Sequence, residues 1–172
     1  QTAYPDIQIF LRIVKRQVKQ IQYKANITAT GKYLPEKVLT NHDMEKLVET
    51  SDEWIQTRTG IRERRMVQNG QATVDMSTNA VRDLMENYDL SPEEIDAIIV
   101  ATVTPDMILP CSAALIQNNI NAINAWGYDL SAACSGFLFG LESGAALIES
   151  GRCRKVIVIG ADTMSSILNY KD

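Results

Sequence analysis

The chain has 172 residues, 45% of them hydrophobic and 22% charged, with 9 glycines, 5 prolines and a formal charge of −4. Those proportions belong to a globular domain and exclude collagen-like, low-complexity and strongly disordered chains. No apolar run approaches the roughly 20 residues of a membrane span and no cleavable signal stands at the start, so a soluble, cytoplasmic protein is expected. Mild acidity without a cluster of uncancelled positive charge argues against general nucleic-acid binding. Cys111, Cys134 and Cys153 cannot all pair with one another and match no zinc spacing; free thiols in a reducing compartment and no metal site are expected. The first residue is Gln1 and not Met, as in a fragment or a processed product.

Along residues 1–22, Ile7, Phe10, Leu11, Val14, Val18 and Ile21 recur at helical steps among Arg12, Lys15, Arg16 and Lys19. This reads as a basic amphipathic extension outside the fold, with the globular part over residues 23–172. Ile27 to Thr30 reads as a strand ended by Gly31, and Thr40-Asn41 as the cap of a helix through Met44 and Leu47. Arg62, Arg64 and Arg65 with Glu63 make a charged strand or loop. Thr73 to Tyr88 carries Val74, Ala80, Val81, Leu84 and Met85 at helical spacing, with Asp75 at its positive end.

Ser91 to Glu94 is a capped helical turn, after which Ile95 to Thr102 is the continuous apolar run of a strand covered on both faces. Ser112–Asn119 reads as a helix and Ala125–Leu130 as a strand. Ser135–Ser150 reads as a helix closed by Gly151, and Lys155–Gly160 as another buried strand. Strand and helix in alternation predict an α/β fold with a mostly parallel sheet and helices on its faces.

The sharpest chemical feature is the run from Asp129 to Phe137, DLSAACSGF. An apolar strand passes through small residues to Cys134, and a helix begins immediately afterwards. Unpaired N–H groups and the helix dipole at such a turn favour thiolate over thiol, and small neighbours let a carbonyl approach. The same N–H groups can hold an oxyanion. Cys111 and Cys153 lack that setting and read as bystanders.

DLSAACSGF resembles the active-cysteine segment of the β-ketoacyl-acyl-carrier-protein synthase III family, in the thiolase-like superfamily. Three more stretches share the resemblance: TGKYLPEKVLTN (Thr30 to Asn41), TSDEWIQTRTGIRERR (Thr50 to Arg65) and VATVTPDMILP (Val100 to Pro110). The resemblance implies a thiolase-like fold, of which this chain holds the first βαβαβ half. It implies an acyltransferase of type II fatty-acid synthesis, with Cys134 taking a short acyl group from acyl-CoA for condensation with malonyl-ACP. By the same resemblance Trp54, Arg58 and Thr50 contact coenzyme A, and Leu109 reaches across a homodimer to shape the partner's acyl pocket.

Acyl carrier protein is the implied partner, acyl-CoA and malonyl-ACP the substrates, and no further cofactor is implied. The family's catalytic histidine and asparagine come from a later segment, absent from this chain; His42, the sole histidine, reads as a surface residue. The fragment by itself is expected to be inactive in condensation. Two other functions fit the same residues: a related condensing enzyme of polyketide, alkylquinolone or olefin synthesis, or a non-catalytic half-domain that binds coenzyme A or a partner.

Overall fold

The computed structural model describes residues 24–68 and 70–169, so the amphipathic helix expected over residues 1–22 lies outside the described residues. From Lys24 to Pro35 the chain has no regular structure, and the strand expected at Ile27–Thr30 does not form. A strand needs a neighbour to complete its hydrogen-bond ladder, and this segment has none among the described pairings. It is held instead against a helix, with the Lys32 N–H donating to Asp83 Oδ2 at 2.9 Å.

A small antiparallel ribbon follows, β1 (Lys37–Thr40) against β2 (Glu63–Met66), in a register that pairs Lys37 with Met66 and Thr40 with Glu63. Between its strands lie α1 (Asn41–Met44) and α2 (Asp52–Thr59). The expected Thr40 cap is present: its hydroxyl accepts from the Asp43 N–H at 3.2 Å, and the Asp43 carboxylate accepts from the Thr40 N–H at 3.1 Å. The helix is shorter than the expected reach to Leu47, giving way to turns after Met44. Neither β1 nor α2 is evident in the hydrophobic pattern, because α2 is polar nearly all round and buries only Ile55.

The rest forms three layers. The helix α3 (Thr73–Tyr88) has the predicted limits, and Asp75 accepts from the Ala72 N–H at 2.9 Å. A 3-10 turn at Pro92–Glu94 leads to β3 (Ala97–Ala101), then α4 (Ser112–Asn119), β4 (Trp126–Leu130), a 3-10 turn at Ala133–Ser135, α5 (Gly136–Glu149), β5 (Val156–Gly160) and α6 (Met164–Ile167). The strands β4, β3 and β5 form a parallel sheet in that order. All five residues of β3 are buried, as the unbroken apolar run predicts for a central strand.

Ile98 and Val100 of β3 join Val74 and Val81 of α3, Ile116 of α4, and Ile157 and Ile159 of β5 in the core. The intervening residues face the other way, toward α5. A β-carbon built at Gly140 would lie 3.7 Å from Ile99 Cγ2, and one at Gly136 3.3 Å from the Ala101 β-carbon. Thus α3 and α4 cover one face of the sheet and α5 the other. The reading of β5 as fully buried needs correction: it alternates, with Ile157 and Ile159 buried and Val156 and Val158 half-buried. Among the described residues it is an edge strand, with the glycine-rich side of α5 over its second face.

Gly136, Gly140 and Gly144 form that side. A β-carbon at Gly140 would sit 2.9 Å from Val158 Cγ1 and one at Gly144 3.1 Å from Val158 Cγ2. The helix axis can approach the sheet this closely because those side chains are missing.

Candidate active site

Leaving β3, the chain crosses by α4 to β4 on one side; leaving β4, it crosses by α5 to β5 on the other. Adjacent parallel strands followed by helices on opposite faces leave a crevice beyond their carboxyl ends, where α/β folds bind ligands. Cys134 lies at that end of the sheet, four residues beyond the end of β4 at Leu130, in the 3-10 turn and two residues before α5 begins. Its thiol-bearing residue is exposed, whereas Cys111 is half-buried and Cys153 is buried.

The backbone bends sharply to deliver it. Ala133 has φ 46°, the left-handed region that residues with a β-carbon seldom adopt, and Ala132 before it has φ −150° and ψ 31°. Alanine bears this conformation at a modest cost, while a β-branched side chain would bear it poorly. The small residues before Cys134 therefore serve the turn as well as access to it. Gly136 completes the bend by bringing the start of α5 against Ala101 and Leu130 at the ends of β3 and β4.

Several acidic side chains that sequence reasoning did not single out tie together the elements at this end of the sheet. Asp129 accepts from the Ser112 N–H at 2.7 Å and the Ala113 N–H at 2.8 Å, tying β4 to the positive end of α4. Asp162, just past β5, accepts from the Val103 N–H at 2.8 Å and the Thr102 hydroxyl at 3.1 Å in the loop after β3. Asp106 in that loop accepts from the Val74 N–H at 3.1 Å, and the Thr73 hydroxyl donates to the Thr104 carbonyl at 2.6 Å. No local signal marks Asp129, because the helix start it holds, that of α4, precedes β4 in the chain.

Beyond these anchors the loop projects freely. Ile108 is 93% exposed and Leu109 85%, ahead of Pro110. Leu109 is thus an exposed apolar side chain, on the loop that leaves the same end of the sheet as the Cys134 turn.

Trp54, Arg58 and Thr50 gather elsewhere, on and before α2. Trp54 is 57% exposed, and the Arg58 guanidinium lies 5.7 Å from its ring centroid, within cation–π range. Thr50 joins Glu49, Ser51 and Trp54 around a shallow depression of about 240 Å³. The Ser51 hydroxyl accepts from the Trp54 N–H at 3.1 Å, starting the helix that carries both side chains, and Gly60 at φ 71° ends it. These three residues form one group, on a different element from Cys134.

The remaining candidates behave as side-chain chemistry predicts. His42 is exposed and 3.2 Å from Glu45, whose carboxylate raises its pKa. Burial, with Asp96 nearby, pushes the Cys153 thiol above its ordinary pKa, against the opposing pull of Arg152. That disfavours the thiolate and fits a bystander. No helix among the described residues is long and apolar enough to cross a membrane, and those residues contain no cluster of three or more His, Cys, Asp or Glu placed to hold a metal ion.

Comparison with known proteins gives this geometry a lineage. The family described as 3-oxoacyl-[acyl-carrier-protein (ACP)] synthase III matches residues 128–172, which include the Cys134 turn. The β-ketoacyl-[acyl-carrier-protein] synthase III of Chlorobaculum tepidum is 59% identical over 150 residues, covering 87% of this chain and 46% of the relative. The crystal structure of 3-oxoacyl-[acyl-carrier-protein] synthase III from Aquifex aeolicus is 46% identical with a TM-score of 0.81, over 84% of this chain and 46% of that one. The priming β-ketosynthase of the R1128 polyketide pathway is 35% identical with a TM-score of 0.81, over 84% of this chain and 43% of that one. The chain spans about half the length of the relatives it matches. In sequence and in thiolase-like fold alike, the chain corresponds to about half of a protein of the β-ketoacyl-[acyl-carrier-protein] synthase III family.

Proposed function

We propose that this polypeptide carries the acyl-accepting half of a condensing enzyme of type II fatty-acid synthesis. The observation that carries the reading is the exposed Cys134 on the strained turn between β4 and α5. Its sulfur attacks the thioester carbonyl of a short acyl-CoA. A new sulfur–carbon bond forms, the bond to the coenzyme's sulfur breaks, and the coenzyme leaves as a thiolate that takes up a proton. Backbone N–H groups of the turn would hold the oxyanion of that attack.

Trp54, Arg58 and Thr50 bind the nucleotide end of the coenzyme: a flat indole suits a purine and a guanidinium suits a phosphate. No dissociable cofactor is needed for this transfer. Condensation with malonyl-ACP requires neutral donors for the enolate, and His42 cannot be one, since it is exposed and engaged with Glu45. A histidine and an asparagine from outside these 172 residues fill that role. The whole protein is a cytoplasmic homodimer in which Leu109 enters the partner's acyl pocket. Supporting this are the exposure of Ile108 and Leu109 and the outer edge of β4, which has no strand beside it among the described residues.

The test is incubation with acetyl-CoA followed by mass mapping. One acyl group should be found on the peptide containing Cys134 and none after Cys134→Ala; equal modification of all three cysteines, or none, overturns the proposal. A priming role in polyketide synthesis is the second reading, favoured by the likeness to the R1128 priming β-ketosynthase. Preference for longer primers over acetyl-CoA in the same assay would select it.

A further inference from the structure

α2 is an unusual support for a binding platform. Only Ile55 is buried along its eight residues, so it has little of the apolar stripe that ordinarily fixes a surface helix. One side chain holds both of its ends. Asn41 is 1% exposed, and its amide is fully engaged. Nδ2 donates to Asp52 Oδ1 at 2.8 Å and to the Ile61 carbonyl at 2.8 Å, while Oδ1 accepts from Arg64 Nη2 at 2.7 Å.

Asp52 is the first residue of α2, and Ile61 follows the glycine that ends it. A single amide therefore grips both ends of the helix and ties them to β2 through Arg64. Trp54 and Arg58 lie between the two grips. Glu45 adds a further hold on the first turn, accepting from the Asp52 N–H at 2.7 Å. Gln56 donates to the remaining Asp52 oxygen at 2.7 Å, so the Asp52 carboxylate is shared between the clamp and the helix.

We propose that Asn41, acting with Asp52 and Arg64, is a positioning residue that sets the Trp54–Arg58 pair for the nucleotide of acyl-CoA. This rests on the assignment of Trp54 and Arg58 to coenzyme binding. Asn41 touches no reacting atom. Its loss should weaken coenzyme binding while leaving the thiol chemistry at Cys134 unaltered, because the Cys134 turn is built from β4 and α5.

The experiment measures Cys134 acylation against acetyl-CoA concentration, alongside alkylation of Cys134 by iodoacetamide, which needs no coenzyme. Asn41→Ala should raise the half-saturating acetyl-CoA concentration roughly ten-fold, as expected for loss of a buried hydrogen-bonded group, with the maximal acylation rate and the alkylation rate within about two-fold of the parent. Asp52→Asn, which keeps an oxygen acceptor for Asn41, should stay near the parent value, and Asp52→Leu should match Asn41→Ala. This pair keeps the test open if Asn41→Ala fails to fold.

Trp54→Ala separates coenzyme binding from the role of the clamp. If it leaves half-saturation unchanged, the coenzyme assignment fails. If it weakens binding but folded Asn41→Ala and Asp52→Leu do not, the clamp is refuted. A parallel fall in maximal rate and alkylation rate in Asn41→Ala also refutes it, since that would mean general loosening.

Discussion

The close approach of α5 to the sheet yields a sharp test, because two opposing terms act at Gly140. Alanine is the better helix former by about 1 kcal/mol in a helix interior. Yet the added carbon would lie 2.9 Å from Val158 Cγ1, a distance at which something must move. Overpacking of this kind costs about 1–3 kcal/mol. Gly140→Ala should therefore be destabilising by up to about 2 kcal/mol once the propensity gain is subtracted. In a Val158→Ala background the offending methyl is gone and only the propensity term remains, so the same change should stabilise by about 1 kcal/mol. The sign reverses between backgrounds, and the coupling is about 1–3 kcal/mol. Urea unfolding of the parent, both single variants and the double variant, followed by circular dichroism, measures it as shifts in midpoint at constant slope. Equal effects of Gly140→Ala in both backgrounds would refute the stated packing of α5 on β5.

The order of thiol modification follows from exposure: Cys134 should react first with a chromogenic disulfide, Cys111 more slowly, and Cys153 only on unfolding, since it is buried with a raised pKa. Release of all three at one rate under native conditions would contradict that order. Asp129→Ala removes the acceptor for two N–H groups at the start of α4, and a loss of about 1–2 kcal/mol should appear in urea midpoints. The Asp43 carboxyl is held at about 2, below its usual 3.8, chiefly by the Thr40 hydroxyl. A depressed carboxyl pKa stabilises above the unfolded value and ceases to do so as pH falls through the folded one. Its contribution should thus be present above pH 3.8 and vanish toward pH 2, and the midpoint difference between parent and Thr40→Val should shrink across that window. Val or Ile in place of Ala133 should slow acylation of Cys134, because a β-branched residue resists the left-handed conformation at that turn; an unchanged rate would mean that the turn's strain does not matter to access.

Much of the layered core was legible in the sequence for a physical reason. The unbroken apolar run before Thr102 demands burial on both faces, and β3 is the central strand with all five residues buried. Thr73–Tyr88 shows helical periodicity with Asp75 in its first turn, and both it and Ser112–Asn119 have the predicted limits. The Cys134 turn was legible from small residues between an apolar strand and a glycine-bearing helix start. By contrast, α2 has almost no apolar face, so its helix was invisible to periodicity even though Trp54 and Arg58 stood out. The strand expected at Ile27–Thr30 has suitable residues, but strand formation depends on a neighbour that sequence pattern alone does not supply.

Local chemistry in the sequence thus determined which segments could be helix or buried strand, and which thiol occupies a strand-to-helix turn. Only the tertiary structure decided the rest. The order β4, β3, β5 makes β5 an edge strand among the described residues and sets the Cys134 turn beyond the carboxyl ends of β3 and β4. Asn41, Asp129 and Asp162 acquire their roles from partners distant in sequence, such as Arg64, Ser112 and Val103. Hydrophobic periodicity records what each segment must bury, whereas hydrogen bonds between distant segments depend on where the chain brings them together. The site is therefore readable at its cysteine and unreadable in the polar groups that hold it.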